Sequence, residues 1–147
     1  MGGDCVPVPN LFIITNLAWF IIFSALPFET RPNQEPNLKS QRYYSDGIQL
    51  SRAKYWKEAA DEFRKAIQVD PEHNLAYANL GVTLSHLGNH KEALLAFDQA
   101  ITLGYDHPLL RYNRGLSFAK LNLIEEAIQE LEFSLRMDPR NVKANYN

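Results

Sequence analysis

Apolar residues recur at helical spacing from residue 40 onward, and the stretch 74–107 shows the pattern most clearly. One stripe comprises Tyr77, Leu80, Leu84 and Leu87, and a second comprises Ala93, Phe97, Ala100 and Ile101. Spacings of three and four residues place each stripe on one face of an α-helix. The turn signal Gly88-Asn89 separates the stripes, so this stretch predicts two antiparallel helices joined by a tight turn.

This helix pair is one copy of a repeat with a period of 34 residues, because Gly47, Gly81 and Gly115 mark the same point in three copies. The same period relates Ala59, Ala93 and Ala127; Phe63, Phe97 and Leu131; Ala66, Ala100 and Ser134; Leu50, Leu84 and Phe118; and Val69, Leu103 and Met137. Self-similarity at this period predicts a solenoid of stacked units. We expect units at 40–73, 74–107 and 108–141, with helices near 40–53, 56–69, 74–87, 90–103, 108–121 and 124–137.

These residues resemble the tetratricopeptide repeat (TPR) family from about Ser40 to Asn147. The family motif places a Gly between large residues in its first helix, helix A, and an Ala–aromatic–Ala pattern in its second, helix B. The resemblance implies an all-α fold, a right-handed α-solenoid of three helix-turn-helix units whose A helices line a concave surface. Three features depart from the motif. Asp46 stands where a Leu is usual. Tyr105 stands where Pro is expected, and Arg111 and Arg114 replace large apolar residues in the third copy.

Residues 11–28 carry no charged side chain, unlike the stretches around them. As a helix they would extend about 27 Å at ~1.5 Å per residue, against a bilayer core of about 30 Å. The absence of Lys and Arg from the short tail 1–10 favours an uncleaved membrane anchor over a cleaved signal peptide. Arg31, Lys39 and Arg42 follow the segment, which predicts cytoplasmic repeats. Cleavage would instead predict a secreted or periplasmic protein.

The stretches on either side of the repeats also carry predictions. Residues 29–39 are polar and contain two prolines, which is typical of an extended linker. At the other end, Asn147 follows Asn113 by the repeat period, so residues 142–147 look like the start of a fourth repeat or a cap. The chain is therefore either a short solenoid or a piece of a longer array.

The resemblance places the ligand-binding residues of the family on the concave side of each A helix. The residues expected there are Tyr44, Ile48, Leu75, Asn79, Val82, His86, Leu109, Tyr112, Asn113, Leu116 and Lys120. Apolar and aromatic anchors with amides between them suit an extended peptide or a partner helix. Asn79, Asn113 and Asn147 form a ladder whose amides either bond a peptide backbone or solvate the inner face.

One subclass of the family clamps the C-terminal carboxylate of heat-shock chaperones with Lys, Asn and Arg side chains. The matching positions here are Tyr44, Ile48, Asn79, Leu109 and Asn113, of which Asn79 alone fits. Because the cations that would neutralise a carboxylate are missing from these positions, we do not expect a chaperone clamp.

Charge and composition weigh against other classes of function. The 15 Lys and Arg residues against 17 Asp and Glu residues form no basic stripe, so we expect no nucleic-acid partner. The one cysteine excludes an internal disulfide. His86 and His90 have the spacing of a helical zinc pair, but Gly88-Asn89 breaks the helix between them, so we expect two solvated histidines and no metal. We expect no cofactor and no catalysis.

Two functional hypotheses remain. The chain is either a membrane-tethered scaffold that binds a protein partner in its concave groove, or the N-terminal TPR segment of a larger enzyme or receptor.

Overall fold

The computed structural model describes residues 34–140, and within them the chain is all-α. The six helices are α1 Gln34–Arg52, α2 Trp56–Val69, α3 Asn74–His86, α4 His90–Thr102, α5 Pro108–Lys120 and α6 Ile124–Met137. They form three helix pairs in a TPR-like solenoid, with α1, α3 and α5 as the A helices. Helix α3 packs on its partner α4 and α5 on its partner α6, while α5 also contacts α3 and α4 of the preceding pair.

The first helix begins earlier than the sequence predicts. Helix α1 starts at Gln34, so 34–39 are helical rather than part of an extended linker. Pro36 does not prevent this, because in the first turn a missing N–H costs no intrahelical hydrogen bond. The other five helices begin where the repeat period places them. The predicted tail 1–10, the apolar segment 11–28, the rest of the linker and the segment 142–147 lie outside the described residues.

The turn from helix A to helix B has the same backbone geometry in all three pairs. Lys54, Gly88 and Asn122, each 34 residues apart, have positive φ angles of 64°, 80° and 61°. The following N–H bonds back to a carbonyl five residues earlier, as from Asn89 to Leu84 O at 2.9 Å. This is the capping arrangement in which a left-handed residue ends a helix and satisfies its last carbonyls. It keeps the two helices of each pair antiparallel.

Each of the first two pairs is centred on a phenylalanine that lies against a glycine. Phe63 and Phe97 are fully buried on the B helices. A Cβ added at Gly47 would stand 2.7 Å from Cε1 of Phe63, which is closer than any real contact of this kind. In the third pair Leu131 replaces the aromatic ring, and its Cγ would stand 3.1 Å from a Cβ at Gly115. The recurring glycines therefore allow the ring of helix B to reach the backbone of helix A.

The third pair contains an ion network where the motif has apolar residues. Glu130 accepts hydrogen bonds from Arg111 at 3.2 Å and from Arg114 at 2.7 Å. Arg114 also pairs with Asp98 on α4, and Arg111 pairs with Asp106 at 2.7 Å. The three central side chains are only 13–17% exposed. The network therefore joins the second pair to the third through partly buried charges.

No helix within residues 34–140 is both long and apolar enough to cross a membrane.

Candidate peptide-binding surface

Two adjoining depressions lie where α3 and α5 meet. The apolar depression is small, about 70 Å³, and is lined by Ala78, Asn79, Val82, Phe97, Tyr105, Leu109, Leu110 and Asn113. The second depression is larger, about 170 Å³, and is lined by Val82, Ser85, His86, His90, Asn113, Leu116, Ser117 and Lys120. It is called the polar depression because six of these eight residues have polar side chains, although most of its surface is apolar. Val82 and Asn113 belong to both linings, so the two depressions form one continuous surface along the A helices of the second and third pairs.

Seven of the eleven side chains expected on the concave face line these depressions. They are Asn79, Val82, His86, Leu109, Asn113, Leu116 and Lys120. Tyr44, Ile48 and Leu75 lie outside both linings. Ile48 packs against the hydrophobic core, and the Leu75 carbonyl accepts a hydrogen bond from Asn79 at 2.9 Å. The first repeat therefore contributes to this surface only indirectly.

Tyr112 is buried, unlike the other residues expected on the concave face of α5. Its side chain is only 7% exposed. It lies three residues after Leu109 and four before Leu116, so the helical period places it on the same side of α5 as these two lining residues. Its burial therefore depends on what packs against α5 and not on its position along the helix.

The Asn79 amide is held in place by two hydrogen bonds across the first two repeats. Its Nδ2 donates to the Tyr44 hydroxyl at 3.2 Å and to the Leu75 carbonyl at 2.9 Å. Both amide hydrogens are therefore in use, whereas Oδ1 accepts no hydrogen bond from the described residues. The Asn113 side chain differs, since it makes no hydrogen bond within the same part of the chain. The two asparagines are thus not equivalent in the unliganded protein.

Tyr44 is fixed by aromatic neighbours as well as by Asn79. Its ring lies 4.9 Å from the His73 ring and 5.9 Å from the Phe63 ring, centroid to centroid. Burial raises the pKa of the Tyr44 hydroxyl, and neighbouring Tyr105 raises it further, while the hydrogen bond from Asn79 opposes the shift. The hydroxyl therefore stays protonated at neutral pH and keeps its own hydrogen for donation.

His86 is exposed, whereas His90 is partly buried. Helix α3 ends at His86 and α4 begins at His90, as the turn signal predicts, yet both rings line the polar depression. The His86 ring stacks on Trp56 with 4.1 Å between centroids and 10° between planes. Among the described residues no group of three or more His, Cys, Asp or Glu side chains could hold a metal ion.

Seven lining residues were not among the eleven expected, and two of these are aromatic rings with a polar group. Tyr105 precedes α5 and lines the apolar depression, and His90 is the first residue of helix B of the second pair. Both lie outside the A helices, to which the family pattern directs attention. The sequence did single out Tyr105, because it stands where the family motif has Pro.

Two family models, each described as tetratricopeptide repeat, match residues 50–108 and 110–141. Together they match more than half of the 147 residues. The chain therefore belongs to the tetratricopeptide repeat family. This fold is generally a protein-interaction module rather than a catalytic one.

Solved structures of TPR domains share the fold. The TPR domain of Arabidopsis OM64 is 19% identical with a TM-score of 0.72, over 75% of this chain and 91% of that chain. The first TPR of Spaghetti (RPAP3) bound to the HSP90 peptide SRMEEVD is 22% identical, with a TM-score of 0.70 over 74% and 86%. The second TPR domain of human RPAP3, in complex with the HSP70 peptide SGPTIEEVD, is 23% identical, with a TM-score of 0.70 over 75% and 92%. At these identities the likeness establishes the fold alone.

The comparison with curated protein sequences finds no match.

Proposed function

We propose that this chain is a non-catalytic scaffold that binds an extended peptide along the A helices of its second and third repeats. The observation that carries the proposal is the continuous surface formed by the two depressions, with the Asn113 side chain between them and free to bond. Apolar walls with few polar groups are typical of a site that binds a peptide through side-chain pockets and backbone hydrogen bonds. The peptide complexes of the RPAP3 domains support this use of the fold.

The backbone of the peptide would be bound differently at the two asparagines. Asn113 offers both an N–H donor and a carbonyl acceptor, which match one peptide unit. At Asn79 both donors are occupied by Tyr44 and Leu75, so only Oδ1 is available, and it would accept from a peptide N–H.

We propose that the peptide is not the C-terminal tail of a heat-shock chaperone. At the positions that the family resemblance assigns to a carboxylate clamp, four residues do not fit and none of them is a cation: Tyr44, Ile48, Leu109 and Asn113. Leu109 is 44% exposed and lines the apolar depression, so that point of the surface favours an apolar side chain. A terminal carboxylate placed there would lose hydration without gaining a counter-charge.

We further propose that residues 11–28 tether the repeats to a membrane, with the repeats on the cytoplasmic side. The uncharged run and the Lys and Arg residues that follow it support this. Protease treatment of sealed vesicles carrying the full chain tests the arrangement. Cleavage of the repeats from the cytoplasmic side supports it. N-terminal sequencing that finds the mature chain beginning near residue 26 contradicts it.

Binding is tested with the full chain in detergent micelles and a displayed library of random linear peptides. The parent chain is compared with an Asn79→Ala/Asn113→Ala variant and with a Gln99→Ala control, since Gln99 is exposed on α4 outside both depressions. Peptides selected by the parent and the control but lost by the double variant support the proposed site. Equal binding by all three chains, or no selected peptide, contradicts it.

A further inference from the structure

We infer that the polar depression binds the carboxylate of an acidic side chain, an Asp or Glu of the peptide. The inference rests on the proposed peptide-binding function and specifies the ligand chemistry of one part of that surface. It concerns a different place from the carboxylate clamp of the family, because the lining residues His86, His90 and Lys120 occupy other positions.

The lining of the depression offers positive charge and hydrogen-bond donors without any carboxylate. Lys120 is exposed and forms no ion pair with the described residues, so its charge is available to a ligand. The imidazoles of His86 and His90 each supply an N–H, and the Asn113 amide supplies another. Since no Asp or Glu belongs to the lining, an incoming carboxylate meets no like charge in the depression.

His90 carries a polar atom that the fold leaves unused. Its Nδ1 is buried and has no hydrogen-bond partner within the described residues. A buried polar atom without a partner is costly, and in native structures it calls for an explanation. The residue lines the depression and its χ2 torsion is soft, so a ring nitrogen that turned towards the depression would find its missing partner in a carboxylate oxygen.

Part of the site is held in place before any ligand arrives. Stacking on Trp56 fixes the His86 ring. At the base of the depression, the hydroxyl oxygens of Ser85 and Ser117 lie 2.8 Å apart and join α3 to α5. Groups whose positions are fixed in advance lose less conformational entropy on binding.

The depression has the dimensions and walls for a single acidic side chain. Its volume of about 170 Å³ is below the roughly 300 Å³ at which small-molecule pockets begin. Val82 and Leu116 provide apolar contact for methylene groups, and Lys120 provides the positive charge. Glu, with one more methylene than Asp, is the better match.

The neighbouring apolar depression specifies a second position of the same peptide. In an extended chain, residues i and i+2 point to the same side and lie about 6.7 Å apart. Adjoining depressions that share Val82 and Asn113 can therefore receive side chains two residues apart. The inferred ligand has an apolar residue and a Glu in this spacing, with the intervening peptide unit against Asn113.

The test uses peptides selected from the random library on the full chain. The first readout is whether Glu or Asp is enriched two residues from an apolar position. A fluorescent peptide with that pattern and its Glu→Gln partner are then titrated by anisotropy into the parent, Lys120→Gln and Lys57→Gln. Lys57 is exposed on α2 and belongs to neither depression. Its variant therefore removes the same charge as Lys120→Gln but at a place outside the site.

The expected result is that Glu→Gln weakens binding to the parent and to the Lys57 variant about fivefold, as for one partly exposed charged contact. In Lys120→Gln the same peptide change should have almost no further effect. Selected peptides without acidic enrichment, or an equal Glu→Gln effect in all three chains, overturn the inference but leave the proposed function standing. If no peptide is selected, both fail together.

Discussion

Gly81 and Phe97 are packed so closely that a Cβ at Gly81 would stand 2.6 Å from Cε1 of the Phe97 ring. The glycine belongs to α3 and the aromatic ring to its partner α4. The ring is fully buried, so a shift that made room for a Cβ would disturb the packing around it. The contact therefore sets how near the two helices of the second repeat can approach each other.

Gly81→Ala should lower the free energy of unfolding by about 2 kcal/mol, because overpacking the core outweighs the better helix propensity of Ala. Gly115→Ala is the matched comparison, and it should cost less. The nearest side-chain atom there is Leu131 Cγ at 3.1 Å, and Leu131 is not fully buried. Urea unfolding of both variants, followed by far-UV circular dichroism, tests the order. Equal losses would contradict the role assigned to the Phe97 ring.

Glu130→Ala should destabilise the chain by about 3 kcal/mol, because it leaves the partly buried Arg111 and Arg114 without a shared counter-charge. The equivalent positions of the second repeat hold the apolar pair Leu80 and Ala96. The double variant Arg114→Leu/Glu130→Ala reproduces that pair and should be more stable than Glu130→Ala alone. A double-mutant cycle by chemical denaturation measures the difference. Purely additive losses would show that the two side chains are not coupled.

The hydrogen bond from Arg111 is the main reason that the pKa of Asp106 lies below its ordinary value of 3.8. A carboxyl with a depressed pKa in the folded state contributes stability above the unfolded value. That contribution is lost as the pH falls below 3.8 through the folded pKa. Asp106→Asn should remove this part of the acid sensitivity. The free energy of unfolding, measured across the acidic pH range, should then fall less for the variant than for the parent chain. If the two curves of free energy against pH run parallel, Asp106 does not contribute to the acid sensitivity.

Burial lowers the pKa of His73 below its ordinary value of 6.5, and the charge of nearby Asp70 opposes the shift only in part. The unfolded chain therefore binds the proton more readily, so acidification below pH 6.5 favours unfolding at this site. His73→Gln should flatten the pH dependence of the unfolding free energy in that window. The comparison of thermal unfolding in buffers on either side of pH 6.5 provides the check. An unchanged slope in the variant would assign the pH dependence to other groups.

The repeat period predicted five of the six helix starts, because helix boundaries follow from turn residues and apolar spacing close along the chain. The predicted start of α1 was wrong. Pro36 suggests a linker when the sequence is considered alone, but a Pro is tolerated in the first turn of a helix. The left-handed turn residue was evident at Gly88, and Asn122 is of the residue type that adopts this conformation next most readily, whereas Lys54 gave no comparable signal. The conformation of Lys54 follows from the packing of the helix pair rather than from its own preference.

The site was predictable in outline but not in its bonding. The position of each residue along an A helix follows from the period, which is why seven expected side chains line the two depressions. The hydrogen bond from Asn79 to Tyr44 joins two different helices, and the two residues are 35 positions apart in sequence. The burial of Tyr112 likewise depends on the direction in which α5 faces its neighbours. Such relations arise from tertiary packing, which a one-dimensional pattern does not contain.

The Arg114 bridge to Asp98 makes the order of the units matter. In the first repeat the position equivalent to Asp98 is held by Arg64. If the third unit followed the first directly, the guanidinium of Arg114 would meet another guanidinium instead of a carboxylate. The charges at this junction therefore favour the second unit, and disfavour the first, as the neighbour of the third. Three helix pairs of similar shape are in this way not interchangeable in the order of the stack.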